Sequence, residues 1–463
     1  MKKRRNHTWF LIVLLALVLL LGGTGIITLI YYGIAGTLVP YLETFFIYIT
    51  YSYNSALIVF WGFALPILLI VFLIFTVARG RKINKVTWTL EDGLKQAIDA
   101  ERADFVAHQN QTLPSRFSPL TQGKTVAEGK EVSSLSQLCA DFRNFAADKL
   151  KLYFSEQDVR KFVASLGASH MLILTGVSGS GKTSLAYAFG EFVNNSSTII
   201  PVQPMWKERA DLLGYYNEFT KHFNETTLFR KIYEANFGDR MYITVLDEMN
   251  IARIEYYFAE FLSLMELPNP ELRYLEAASD AWANDPEGIV NGCLKLPESM
   301  WFVGTVNDDD SAYPISDKVY DRAMIVDLGG KAQPFEVEES ATVALSYTKF
   351  QEMVAQAIKD YRPGAQFQAD ITAFDAFLTD KFQMTYGNRI RRQIGDYVAV
   401  YVACGGSELE AIDDILAKKV LRKLEYRDLS RLRGEIDQLK SFIVNTFGED
   451  SQCRRYLDSI TSD

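Results

Sequence analysis

Apolar residues in this chain are gathered into two long runs near its start and many short ones afterwards. Between Trp9 and Val77 the sole charged side chain is Glu43. Runs over about 9–33 and 56–77 each reach the roughly 20 apolar residues that a membrane-spanning helix needs. Pro66 within the second is tolerated in such a helix. Lys2-Lys3-Arg4-Arg5 precede the first run, and Arg79-Gly80-Arg81-Lys82 follow the second. Positive flanks stay on the cytoplasmic side, so the pattern predicts a transmembrane hairpin over 1–82 with both ends cytoplasmic. The connection between the runs, rich in Tyr41, Phe45, Phe46, Tyr48, Tyr51 and Tyr53, suits the outer membrane–water boundary. The apolar core of a cleaved signal peptide is about 7–15 residues, shorter than the first run.

From Ile83 the sequence turns polar. A helical stretch near Leu90–His108 leads into Gln109–Ser134, where Pro114, Pro119, Gly123 and Gly129 interrupt any periodicity. Residues 83–134 read as a cytoplasmic linker. Helical spacing resumes at Leu135, and Ser155-Glu156-Gln157-Asp158 has the cap and following acid of a helix start. Short apolar runs at Met171–Leu174, Thr198–Val202, Tyr242–Leu246, Trp301–Val303 and Met324–Val326 then alternate with helical ones. Such alternation predicts an α/β domain with a parallel sheet, here over 135–330. Beyond Tyr347 only helical periodicity remains, interrupted at Pro363-Gly364 and Gly405-Gly406, so 331–463 is expected to be helical.

Charge sharpens the division. Residues 1–82 hold seven Lys or Arg and one acid, a balance of +6; with −9 for the whole chain, the remainder carries −15. An acidic soluble part speaks against general nucleic-acid binding, which depends on phosphate neutralisation, though it leaves room for a small basic patch. Cys139, Cys293, Cys404 and Cys453 have no paired spacing, and His7, His108, His170 and His222 form no ligand pair. That usage fits a reduced compartment and no zinc site.

The strongest chemical signal follows the first predicted strand. Gly176-Val177-Ser178-Gly179-Ser180-Gly181-Lys182-Thr183 fits GxxxxGK[ST], and a helical run opens at Ser184. Glycines let backbone N–H groups approach phosphates without an intervening Cβ, and the helix start adds donors. In this pattern Lys182 reaches the outer phosphates and Thr183 ligates Mg²⁺. A later apolar strand ends in Asp247-Glu248, the pair expected to complete the Mg²⁺ shell and to activate the attacking water. Two carboxylates imply hydrolysis rather than binding alone. Asn307 ends a further strand and is placed to orient that water; Arg322, and the guanidinium groups of the Asn388–Arg392 stretch, are candidates for stabilising transition-state charge.

In combination these segments resemble the McrB-like branch of AAA+ ATPases, related to the motor subunit of modified-DNA restriction systems. The resemblance covers about Leu135 to Leu457. It rests on Leu174–Thr183, Val202–Trp206 with Asp211–Asn217, Leu246–Arg253 with Glu255–Phe258, Val303–Asn307 and Ser316–Arg322. It implies a P-loop AAA+ domain with a parallel sheet and a C-terminal helical lid. It also implies assembly into rings, commonly hexamers, with nucleotide at the junctions. By the same resemblance Asn307 is the sensor-1 residue and Arg322 the finger that reaches a neighbouring subunit. Arg389 or Arg392 would be sensor 2 on the lid, and Arg253, with Asn250, belongs to a segment that relays charge across the junction. A transmembrane hairpin stands where a DNA-binding domain would precede the motor, so restriction is not carried over as the function. The best-known member prefers GTP; ATP is favoured here on the wider class.

The expectation is therefore a multi-pass inner-membrane protein whose cytoplasmic ATPase hydrolyses ATP, or GTP, with Mg²⁺ to remodel or regulate an unidentified protein partner. A defence motor is one form of this. The alternative is a nucleotide-gated scaffold whose turnover only resets assembly. A transporter is poorly supported, because neither run carries an ionisable row.

Overall fold

The computed structural model describes residues 115–461 apart from 124, 126–127, 279–281, 308–311 and 331. The runs 9–33 and 56–77 lie outside the described residues, among which no helix is long and apolar enough to cross a membrane. All five predicted strands are present, as β1 (Met171–Thr175), β2 (Thr198–Pro201), β3 (Tyr242–Asp247), β4 (Met300–Thr305) and β5 (Met324–Asp327). They form one sheet in the order β5-β1-β4-β3-β2, every neighbouring pair parallel.

Strands β1, β3, β4 and β5 are apolar at successive positions, so both faces of the sheet are covered. Leu172, Leu174, Ile243, Val245, Trp301, Val303, Met324 and Val326 point into one core. Met171, Ile173, Tyr242, Leu246, Met300, Phe302 and Ile325 point into the other. Covering the first face are α1 (Leu135–Leu150), α2 (Glu156–Ala168) and α3 (Lys182–Phe192), through an aromatic cluster of Phe142, Phe162, Phe189 and Phe192. The second face meets α4 (Thr227–Ala235) and the segment carrying Phe258 and Phe261. Trp301, fully buried, donates from Nε1 to the Leu166 carbonyl and so ties β4 to α2.

Six helices follow the sheet: α5 (Tyr347–Asp360), α6 (Ala365–Phe382), α7 (Asn388–Ala403), α8 (Glu408–Lys419), α9 (Arg433–Phe447) and α10 (Gln452–Thr461). Breaks fall at Pro363-Gly364 and Gly405-Gly406, as the sequence predicts. Ser155 caps α2 by accepting from Asp158 N at 3.0 Å, and Ser407 with Glu410 forms a capping box on α8. Helix α7 packs on α2 and α5, so the C-terminal helices share a hydrophobic core with α1–α3.

Some of the fold departs from the expected outline. Gly214–Asn217 pairs with His222–Glu225 as an antiparallel hairpin, and Tyr274–Glu276, Ile289–Val290 and Cys293–Lys295 make a small three-stranded sheet. Strands of two to four residues are too short to show a two-residue period. The described part of the 83–134 stretch is irregular, as its Pro and Gly content implies, yet it is packed and not free. Arg116 is 2% exposed, pairs with Asp285 through two bonds of 3.0 and 2.7 Å, and lies over the rings of Phe117, Tyr216 and Trp282. Phe117 stacks on Phe229.

Arg116→Ala leaves Asp285 buried and unpaired, so chemical unfolding should show a loss of about 3–5 kcal/mol, whereas Arg116→Met with Asp285→Leu recovers most of it.

Candidate nucleotide site

Strand β1 delivers its last residue to Gly176, whose φ of +136° is open to glycine and strained for other residues. A Cβ at Gly176 would also stand 2.9 Å from the Leu328 carbonyl, so the loop is pressed against the end of β5. Lys182 opens α3, is 7% exposed, and folds its ammonium onto the carbonyls of Gly176 (2.8 Å) and Val177 (3.2 Å). Val177, Ser178 and Gly179 are exposed at the crest; Ser180 turns back, its N–H donating to the Val177 carbonyl at 3.1 Å. Gly181, also left-handed at +92°, lets the chain enter α3, where Thr183 and Ser184 begin the first turn.

The ends of β3 and β4 meet this loop. Thr183 donates from its hydroxyl to Asp247 Oδ1 at 2.7 Å, and Thr305 donates to the same oxygen at 2.9 Å. The Thr305 hydroxyl in turn accepts from Glu248 N–H at 2.9 Å. Glu248 has a φ of +53°, a left-handed turn that directs its exposed side chain away from the strand. Asn307 donates from Nδ2 to Glu248 Oε1 at 3.2 Å, and Asn250 donates to the Asn307 carbonyl at 3.1 Å. Gly304 is required in β4 because Met249 Sδ lies 1.8 Å from where a Cβ would stand.

These residues therefore come together at the carboxyl ends of β1, β3 and β4. The hydroxyl of Thr183 and the carboxylate of Asp247 are hard oxygen donors already in contact, a set that fits Mg²⁺, which takes few protein ligands besides phosphates and water. No cluster of three or more His, Cys, Asp or Glu competes for a metal among the described residues. Thr305 is the member that the motifs hide: 2% exposed, it joins both carboxylate-bearing residues, and its signal is a lone hydroxyl within an otherwise apolar buried strand.

The arginines are elsewhere. Arg322 bonds Glu266 at 2.8 Å and donates to the Lys318 carbonyl at 3.0 Å, while its buried Nε has no hydrogen-bond partner. Arg389, on the first turn of α7, pairs with the other oxygen of Glu266. Arg392 and Arg273 line the same cleft of about 730 Å³, together with His170 and Met171. That cleft sits at the amino end of β1, whereas the phosphate loop leaves its carboxyl end, about 13 Å away along the strand. Arg389 and Arg392 thus stand on α7, among the C-terminal helices, and share the Arg322 cleft and not the chain's own phosphate loop. Arg253 is exposed and lies over the Tyr313 ring at 5.0 Å, on the Asn250 side of the site.

Residues 171–323 match the family described as AAA domain (dynein-related subfamily), so the chain carries an AAA+ ATPase domain. The match spans about one third of the chain. No curated protein matches it in sequence. Solved structures that align with it include a candidate ATPase from Cytophaga hutchinsonii, 12% identical, TM-score 0.41, covering 65% of this chain and 96% of that one. Another is a full-length MCM homolog from Methanopyrus kandleri, 10% identical, TM-score 0.35, covering 62% of this chain and 61% of that one. Neither likeness bears on function.

His170 stacks on Trp301, and burial, followed by the nearby Arg273 charge, holds its pKa down at about 4 against an ordinary 6.5. The unfolded chain then takes up the proton first. Stability from this group is present above pH 6.5 and lost as pH falls towards 4, by up to about 3 kcal/mol, and His170→Phe should flatten that part of a stability–pH profile.

Proposed function

We propose that this protein is a membrane-anchored ATPase that works as a ring of identical subunits and uses hydrolysis to remodel or regulate a protein at the cytoplasmic face. The observation carrying the reading is the chain of contacts Thr183–Asp247–Thr305–Glu248–Asn307 beside the phosphate loop. A site built only to bind a triphosphate has no use for the Glu248–Asn307 pair.

The loop N–H groups and Lys182 hold the phosphates, and Lys182 exchanges its two loop carbonyls for phosphate oxygens. Thr183 and Asp247 would hold Mg²⁺, which would supply positive charge to offset that of the phosphates. Glu248, steered by Asn307, accepts a proton from water as that water's oxygen bonds to the terminal phosphorus and the bond to the bridging oxygen breaks. Nucleoside diphosphate and phosphate leave. Stabilising charge on the terminal phosphate falls to Arg322, with Arg389 and Arg392 beside it. Supporting a ring is the placement of these arginines at the far end of β1, where a second copy's phosphate loop meets them more readily than the chain's own. ATP is the favoured nucleotide. Anchoring is supported by the runs 9–33 and 56–77 with their positive flanks.

Purified full-length protein should hydrolyse ATP with Mg²⁺. Lys182→Ala should lose nucleotide binding, Glu248→Gln should bind while turnover falls by about 100-fold or more, and Arg322→Ala should fall by about 10³-fold with binding kept. Wild-type protein that binds but never turns over, in any assembly, removes the motor reading and leaves the nucleotide-gated scaffold.

A further inference from the structure

Three basic side chains from one short stretch converge on the turn that precedes Arg322. Lys419, 3% exposed at the end of α8, donates to the carbonyls of Tyr320 (2.9 Å) and Asp321 (3.1 Å). Arg422 lies over the Tyr320 ring at 3.7 Å and donates to its hydroxyl at 2.7 Å. Lys423 pairs with the Asp321 carboxylate at 2.9 Å. Burying the Lys419 ammonium carries a desolvation cost, offset by those two bonds and by the nearby Asp321 charge.

The same stretch also lines a cleft that reaches the residue before the phosphate loop. Ala417, Lys418 and Arg422 line a cleft of about 690 Å³ whose opposite wall is Thr175, Asp327 and Gly330. Thr175 is the residue from which the phosphate loop springs, and Leu328 N–H donates to its carbonyl at 3.0 Å. Lys418 is anchored from behind through Asp414, which also pairs with Lys161 of α2 and accepts from Tyr397 of α7. So Ala417, Lys418 and Arg422 line a cleft that ends at Thr175, next to the phosphate loop, while Lys419, Arg422 and Lys423 grip the turn before Arg322.

We infer that Lys419, Arg422 and Lys423 are positioning residues that couple occupancy of a subunit's own nucleotide cleft to the placement of its Arg322. The inference rests on the proposed nucleotide hydrolysis and adds to it a route of communication. Filling the cleft shifts the 417–423 wall. The clasp carries that shift to Tyr320–Asp321, and Arg322, joined directly to Asp321, moves against Glu266. Strand β5 links the two ends as well, but a strand is stiff, whereas the clasp consists of ion pairs and hydrogen bonds that can re-form in a second arrangement.

Hydrogen exchange on the full chain, with and without a slowly hydrolysed ATP or GTP analogue plus Mg²⁺, tests this. Wild type should gain protection at 176–184 and also at 316–323. Lys423→Ala, at a side chain 19% exposed, should fold, keep the first protection and lose the second. Its kcat should fall about tenfold. KM should stay within about twofold, with Lys423→Arg restoring kcat. Lys419→Met should behave alike where it folds. Protection at 176–184 without any at 316–323 in wild type, or Lys423→Ala with wild-type exchange and kcat, overturns the clasp alone. No protection at 176–184 overturns nucleotide binding as well, and so is told apart from failure of the clasp.

Discussion

Asp247 holds the site together. Two hydroxyls, from the first turn of α3 and from the end of β4, converge on one of its oxygens, so three elements are registered against each other at a single atom. The strands make this contact possible. Parallel pairing puts the carboxyl ends of β1, β3 and β4 side by side, and each is apolar until its last residues, where the chain leaves the core and can carry a polar group. Breaking this contact would leave Thr305 buried with one partner fewer and free Glu248 from its turn.

Polarity of the sheet then separates the functions. The phosphate loop stands at one end of β1, and Arg322, Arg389 and Arg392 stand at the other, the first two bound to Glu266. In the proposed ring, Glu266 keeps these cations ordered and partly neutralised until phosphates displace it. Arg322 keeps a buried Nε–H in reserve, which suits a group that gains its best partner from outside the chain.

Much of this was legible in the residues. The five strands of the central sheet, the phosphate loop, the carboxylate pair and the breaks between the later helices follow from short apolar runs, helical periodicity and residue types with few other uses. The two small antiparallel sheets did not show, because strands of two to four residues hold too few repeats of a two-residue period to reveal it. The packing of Arg116 and Phe117 did not show either, since a lone aromatic in a Pro- and Gly-rich stretch carries no pattern, and its partners lie over 100 residues away.

By itself, then, the sequence determined the α/β sheet, the phosphate-binding loop and the carboxylate pair, since these depend on local geometry and on short apolar runs alternating with helical ones along the chain. It also determined two apolar runs of membrane-spanning length. Only the tertiary structure decided that Thr305 bridges Asp247 and Glu248. It alone grouped Arg389 and Arg392 with Arg322, and brought the end of α8 onto the turn before that arginine. Those are contacts between residues far apart in the chain, set by strand order and helix docking, and no spacing along one dimension encodes them.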